Sequence, residues 1–83
     1  MDKIIVNIYV PNSEKKYQMF IPAHVQMYQL VSLIGKSVMD LGDGTFIPDS
    51  TAVLCKKDTG SVLNMNLTAK EIGIKNGTNL MLI

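Results

Sequence analysis

The chain has 83 residues, a formal net charge of +1 and a hydrophobic content of 47%. That length makes one small domain, residues 1–83, able to bury roughly 60–65% of the surface its unfolded chain exposes, and the apolar content excludes a disordered tail. All eight basic residues are lysine, so the guanidinium fork that grips phosphate and guanine is missing and nucleic acid is not an expected partner.

Residues 3–10, Lys-Ile-Ile-Val-Asn-Ile-Tyr-Val, form a β-branched run with Ile4, Val6, Ile8 and Val10 on one face and Ile5, Asn7 and Tyr9 on the other. The turn residues Pro11 to Glu14 follow. Residues 16–21 alternate again, with Tyr17, Met19 and Ile21 inward, and the short connection predicts an antiparallel hairpin. Pro22 ends the second strand. From Gln26 to Leu41 the period becomes helical: Met27, Leu30, Ile34, Val38 and Leu41 make the core stripe, widened by Val31 and Leu33. No Ser, Thr, Asp or Asn caps its start, and Gly42-Asp43-Gly44 is read as its stop.

Residues 45–51 are a connector packed through Phe46 or Ile47. Residues 52–57 read as a third strand, Asp58-Thr59-Gly60 as a turn, and 61–65 as a short fourth strand. The end of the chain is the most informative part. Thr68-x-x-Glu71 has the spacing in which two side chains reciprocally satisfy the first amides of a helical turn. Gly73 stands where a left-handed helix-ending residue belongs, and Asn76-Gly77 supplies a second positive-φ turn. Leu80 and Leu82 then alternate with Asn79, Met81 and Ile83 in a last strand, 79–83.

The segment Gly73-Ile74-x-Asn76-Gly77-x-x-Leu80-x-Leu82, at the end of a ββαβ(β)β order, resembles the end of a ubiquitin-like β-grasp domain. The resemblance implies an α+β fold with a mixed four- to five-stranded sheet packed on one main helix. Such an arrangement lets a helix bury its single apolar stripe. Within that superfamily the chain looks most like the YukD/EsaB-type proteins of bacterial type VII secretion, which are similarly short and stop after the last strand. Conjugated relatives and sulfur carriers continue to a Gly-Gly tail. Because this sequence ends at Ile83, it is expected to act without conjugation. Met1 and the missing linker point to a complete small protein, with a domain cut from a larger membrane protein as the alternative.

Catalytic, metal and cofactor sites are not expected. The lone His24 lacks a partner to orient it and is read as a surface or capping residue. The lone Cys55, in a predicted strand, is a small packing residue; one unpaired thiol fits a reducing compartment. Asp40, Asp43 and Asp49 lack the spacing and closing Glu of a calcium loop, and Gly42-x-Gly44 lacks what a phosphate cradle needs. No apolar run nears the ~18–20 residues that cross a bilayer, and the start is a poor signal peptide, so a cytoplasmic protein without direct membrane insertion is expected.

What the residues do offer is a sheet face with more apolar character than solvent exposure requires. If the even-numbered first-strand residues face the helix, then Ile5, Tyr9, Phe20, Met81 and Ile83 face away on three neighbouring strands. Three readings stand: a partner-binding surface, residues covered by loop 42–51, or exposed apolar background without a role. Lys56-Lys57 facing Lys15-Lys16 would make a small basic patch, solvated or attracting an acidic partner. Tyr28 and Met39 mark a weaker second surface on the helix. The expectation is a noncovalent protein-interaction module. The resemblance adds a type VII secretion ATPase or regulator as the partner, and a homodimer is also open. A ubiquitin-like adaptor unrelated to secretion and a β-grasp module contacting RNA are the rivals.

Overall fold

The computed structural model describes residues 2–11, 13–41 and 52–83. The elements run β1 (Lys3–Val10), β2 (Lys15–Pro22), α1 (Met27–Asp40), β3 (Leu54–Lys56), α2 (Ala69–Ile72) and β4 (Thr78–Leu82). The sheet order is β2-β1-β4-β3. β1 pairs antiparallel with β2, from Lys3 opposite Pro22 to Val10 opposite Lys15. It pairs parallel with β4, from Val6 opposite Thr78 to Tyr9 opposite Met81. The first and last strands therefore lie side by side at the centre of a mixed sheet.

One face of that sheet carries α1. Val6, Ile8, Val10, Ile21, Leu54, Leu80 and Leu82 meet Met27, Leu30, Val31, Ile34 and Val38 in one buried cluster. Tyr17, Met19 and Ile4 pack against its margin. Full burial of each aliphatic side chain contributes about 1.5–3 kcal/mol of gross stabilisation, so the alternation in the strands and the stripe on α1 together select this register. Two members of the expected stripe do not belong to it. Leu33 is 50% exposed and Leu41 61%. Leu33 projects from the side of α1 away from the sheet, and Leu41 is the C-cap residue beyond the last helical turn.

The start of α1 solves its capping problem through tertiary structure. Gln26, the N-cap, makes no capping bond with its side chain. Instead the Met27 amide donates to the Leu67 carbonyl at 2.9 Å and the Tyr28 amide to the Met65 carbonyl at 3.0 Å. The Gln26 side chain donates to the Asn66 carbonyl. Helix amides that would otherwise lack acceptors are thus satisfied by the segment leading into α2. That segment is fixed in turn by its own capping box: the Glu71 amide donates to Thr68 Oγ1, and the Thr68 amide to Glu71 Oε1.

The short strand expected at 61–65 is reduced to a single bridge, Val62 opposite Cys55. Two backbone hydrogen bonds flank the bridge, from the Lys56 amide to the Ser61 carbonyl and from the Leu63 amide to the Leu54 carbonyl, both at 2.9 Å, and the chain then leaves the sheet with Leu63 buried. β3 itself is shorter than the expected 52–57, although Val53 and Ile83 exchange both backbone hydrogen bonds beyond its start. The packing of Phe46 or Ile47, the stop at Gly42-Asp43-Gly44 and the cover from loop 42–51 all fall outside the described residues, as do Asp43 and Asp49. Among the described residues no helix is long and apolar enough to cross a membrane.

Candidate interaction surface

The register of the sheet arranges its open face in transverse rows. Phe20 stands directly opposite Ile5. The next row along the strands holds Gln18, Asn7 and Asn79. Beyond it, Lys16, Tyr9, Met81 and Cys55 line up across all four strands, with Val62 at the end through its bridge to Cys55. Ile83 and Val53 form a last pair.

The five residues expected to share this face do share it, but not as one apolar patch. Ile5 and Phe20 make one group; Tyr9, Met81 and Ile83 make another. The amide row separates them, and it is ordered: Gln18 Nε2 donates to Asn7 Oδ1 at 3.3 Å, and Asn7 Nδ2 donates to Asn79 Oδ1 at 3.1 Å. Strand alternation puts Asn7, Gln18 and Asn79 at the outward positions between the two groups, so contiguity fails although the face assignment holds. Phe20 is the most exposed of the five at 67%, Ile83 is exposed, and Ile5, Tyr9 and Met81 are half-buried.

Val62, 61% exposed, joins the second group. A sequence reading misses it because its neighbour across the sheet depends on the 57–60 turn. The available signal was alternation with Leu63, which is buried. Cys55 is buried yet lies on the open side, opposite Met81, consistent with a packing role.

The lysine pairs do not face each other across adjacent strands, because β1 and β4 stand between β2 and β3. One lysine from each pair nevertheless turns onto the open face. Lys57 Nζ lies 4.8 Å from the centre of the Tyr9 ring, and Lys16 is the β2 neighbour of Tyr9. An open depression of about 340 Å³ lies there, with Asn7, Tyr9, Lys16, Gln18, Lys57 and Asn79 around it. His24 follows β2 two residues after Pro22. It sits in the connection before α1 with Nε2 3.2 Å from Asp2 Oδ2, an exposed pair that ties the chain start to that connection. Exposed ion pairs contribute little to stability. Tyr28 and Met39 are exposed on α1.

This topology is that of the ubiquitin-like β-grasp fold, and solved structures agree over nearly the whole chain. The ubiquitin-like domain of EccD5 from Mycobacterium xenopi superposes with a TM-score of 0.76 at 20% identity, covering 100% of this chain and 94% of that one. The ubiquitin-like domain of the Mycobacterium tuberculosis type VII secretion system protein ECCD1 gives 0.70 at 18%, covering 100% and 99%. The corresponding domain of Plasmodium falciparum Dsk2 gives 0.74 at 18%, covering 98% and 96%. No protein-family model matches the chain, and no curated protein does.

Proposed function

We propose that the domain is a noncovalent protein-interaction module of a bacterial type VII secretion system, of the YukD/EsaB type, working in the cytoplasm without catalysis. The observation that carries the docking reading is Phe20, 67% exposed beside half-buried Ile5 on an open sheet face. Rigid aromatics with an apolar neighbour are the usual anchors of protein interfaces. The link to secretion is supported by the sequence resemblance and by likeness over the whole chain to ubiquitin-like domains of two type VII secretion proteins. The partner is a secretion ATPase or a regulator of it. The similar superposition on the Dsk2 domain supports the second reading, an adaptor of the same mechanism unconnected with secretion.

Affinity purification from lysate of the source organism, with wild type and Phe20→Asp as parallel baits, tests this. The exposed position means the substitution leaves the core intact, which a thermal melt verifies. The expected outcome is recovery of secretion-machine proteins with wild type and their loss with Phe20→Asp. Equal recovery by both folded baits overturns the docking face. Loss of a partner set that contains no secretion protein favours the adaptor reading.

A further inference from the structure

The middle of the open face has a chemistry of its own, and it is set by which hydrogen-bond groups the fold has already used. The row from Gln18 through Asn7 to Asn79 engages the oxygens of Asn7 and Asn79 as acceptors once each, and Gln18 Oε1 is the one amide oxygen of the row outside these bonds. Asn79 Nδ2 is left as a donor with no acceptor among the described residues. Lys57 follows Lys56, the β3 partner of Leu80, and its own amide donates to the Asn79 carbonyl at 3.1 Å, so it stands next to Asn79 across the sheet. Its ammonium rests on the Tyr9 ring, and no carboxylate among the described residues pairs with it. The ion pair between His24 and Asp2 lies elsewhere. On the far side of Tyr9, Lys16 adds a second positive charge to the same 340 Å³ depression.

The outward positions of β1, β2 and β4 carry no acid: Lys3, Ile5, Asn7 and Tyr9; Lys16, Gln18, Phe20 and Pro22; Asn79 and Met81. Asp58 borders an adjoining hollow at the β3 edge together with Lys56 and Lys57. The depression is therefore rich in donors and positive, and what completes it is an acceptor with negative charge. Carboxylates meet both demands, since charge-assisted hydrogen bonds are stronger than neutral ones. Rows along a strand repeat every two residues, about 6.7 Å. The Phe20–Ile5 row and the Tyr9–Met81 row thus flank the amide row at the spacing of alternate side chains in an extended chain.

Resting on the docking reading above, we propose that the open face binds an extended acidic segment of a partner protein, in which an Asp or Glu carboxylate enters the depression between Lys16, Lys57 and Asn79. Apolar side chains two residues to either side cover Phe20–Ile5 and Tyr9–Met81. The motif is apolar-x-acid-x-apolar, running along the strands. Single-stranded RNA is disfavoured because Phe20 and Tyr9 are separated by the amide row and no arginine is present.

Nitrogen-15 NMR titration of the intact chain with a synthetic peptide centred on Leu-Ser-Glu-Ser-Leu tests the proposal, with the Glu→Gln peptide and an oligouridylate of about 12 nucleotides as comparisons. The expected result is saturable shifts at Asn7, Tyr9, Gln18, Lys57 and Asn79. Binding should weaken by about tenfold with the Gln peptide, at high salt, or in Lys16→Glu/Lys57→Glu. No saturable shift, equal binding of the Gln peptide, or tighter binding of RNA at the same face overturns it. In the purification experiment, partners lost with Phe20→Asp but kept by the folded charge-reversed variant overturn the acidic motif and leave the docking face standing. Partners kept by both variants overturn both.

Discussion

Gly77 enters the last strand with φ +88°, and a Cβ built there meets nothing within 4 Å. The cost of a side chain at this point is therefore backbone strain alone, roughly 1–2 kcal/mol for an L-residue held in the left-handed region. Gly77→Ala is expected to lower Tm by roughly 4–8 °C for each kcal/mol in a domain of this size, and Gly77→Asn by less, because asparagine tolerates that region. The position matters to the open face as well. The Gly77 amide donates to the Ile5 carbonyl at 2.8 Å, and Asn76 Oδ1 accepts from the Ile5 amide at 2.9 Å. The Asn-Gly turn thus clamps the residue that stands beside Phe20. Denaturation melts of the two variants, read beside the Phe20→Asp binding assay, separate strain from surface chemistry. A Gly77→Ala protein with wild-type stability contradicts the turn assignment.

At the scale of elements, α1 shows where periodicity suffices and where it stops. Ile34 and Leu33 are neighbours in sequence and both were expected to pack, yet Ile34 is buried and Leu33 half-exposed. Ile34→Ala is expected to cost about 2–5 kcal/mol through lost burial and a residual cavity. Leu33→Ala should stay within about 0.5 kcal/mol, and urea unfolding compares the two directly. A Leu33→Ala cost near that of Ile34→Ala would mean that an element packs on that side of the helix. The hairpin, the helix, the capping box and the central last strand were legible because each is written in local chemistry: alternation, a 3.6 period, Thr68 with Glu71, and Asn76-Gly77. The cap of α1 was not, since its acceptors are the carbonyls of Met65 and Leu67, supplied by a segment far along the chain. The strand expected at 61–65 is reduced for a different reason: it meets β3 across a local turn and leaves the sheet after Leu63. The open face was legible as a set of five outward residues from parity alone. Its division was not drawn, because the Gln18–Asn7–Asn79 row appears only when the registers of three strands are known together.

For the whole molecule, the pairing that matters most joins the chain's two ends. Asn7 and Asn79 touch across 72 residues of sequence. β4 lies between β1 and β3, so it supplies the hydrogen-bonding neighbour of both, and it brings Leu80 and Leu82 into the core fully buried. Such a domain gains little from partial assembly. β1 and β2 alone form a hairpin, which is marginal in water, and α1 then lacks the far half of the surface it covers. Loop closure must be met before the central pair rewards it, which makes folding depend on non-local contacts. A chain stopped after Lys75 keeps the hairpin, α1, β3 and the capping box, yet loses the strand that joins them. The expected outcome is loss of the cooperative thermal transition and collapse of amide dispersion in the NMR spectrum. Adding residues 76–83 as a separate peptide should restore part of both if the missing strand is the cause. A truncated chain that still melts cooperatively with dispersed amides would show that β1, β2 and α1 form a folding unit by themselves. In that case the open face would owe its Phe20–Ile5 end to a hairpin that stands without β4.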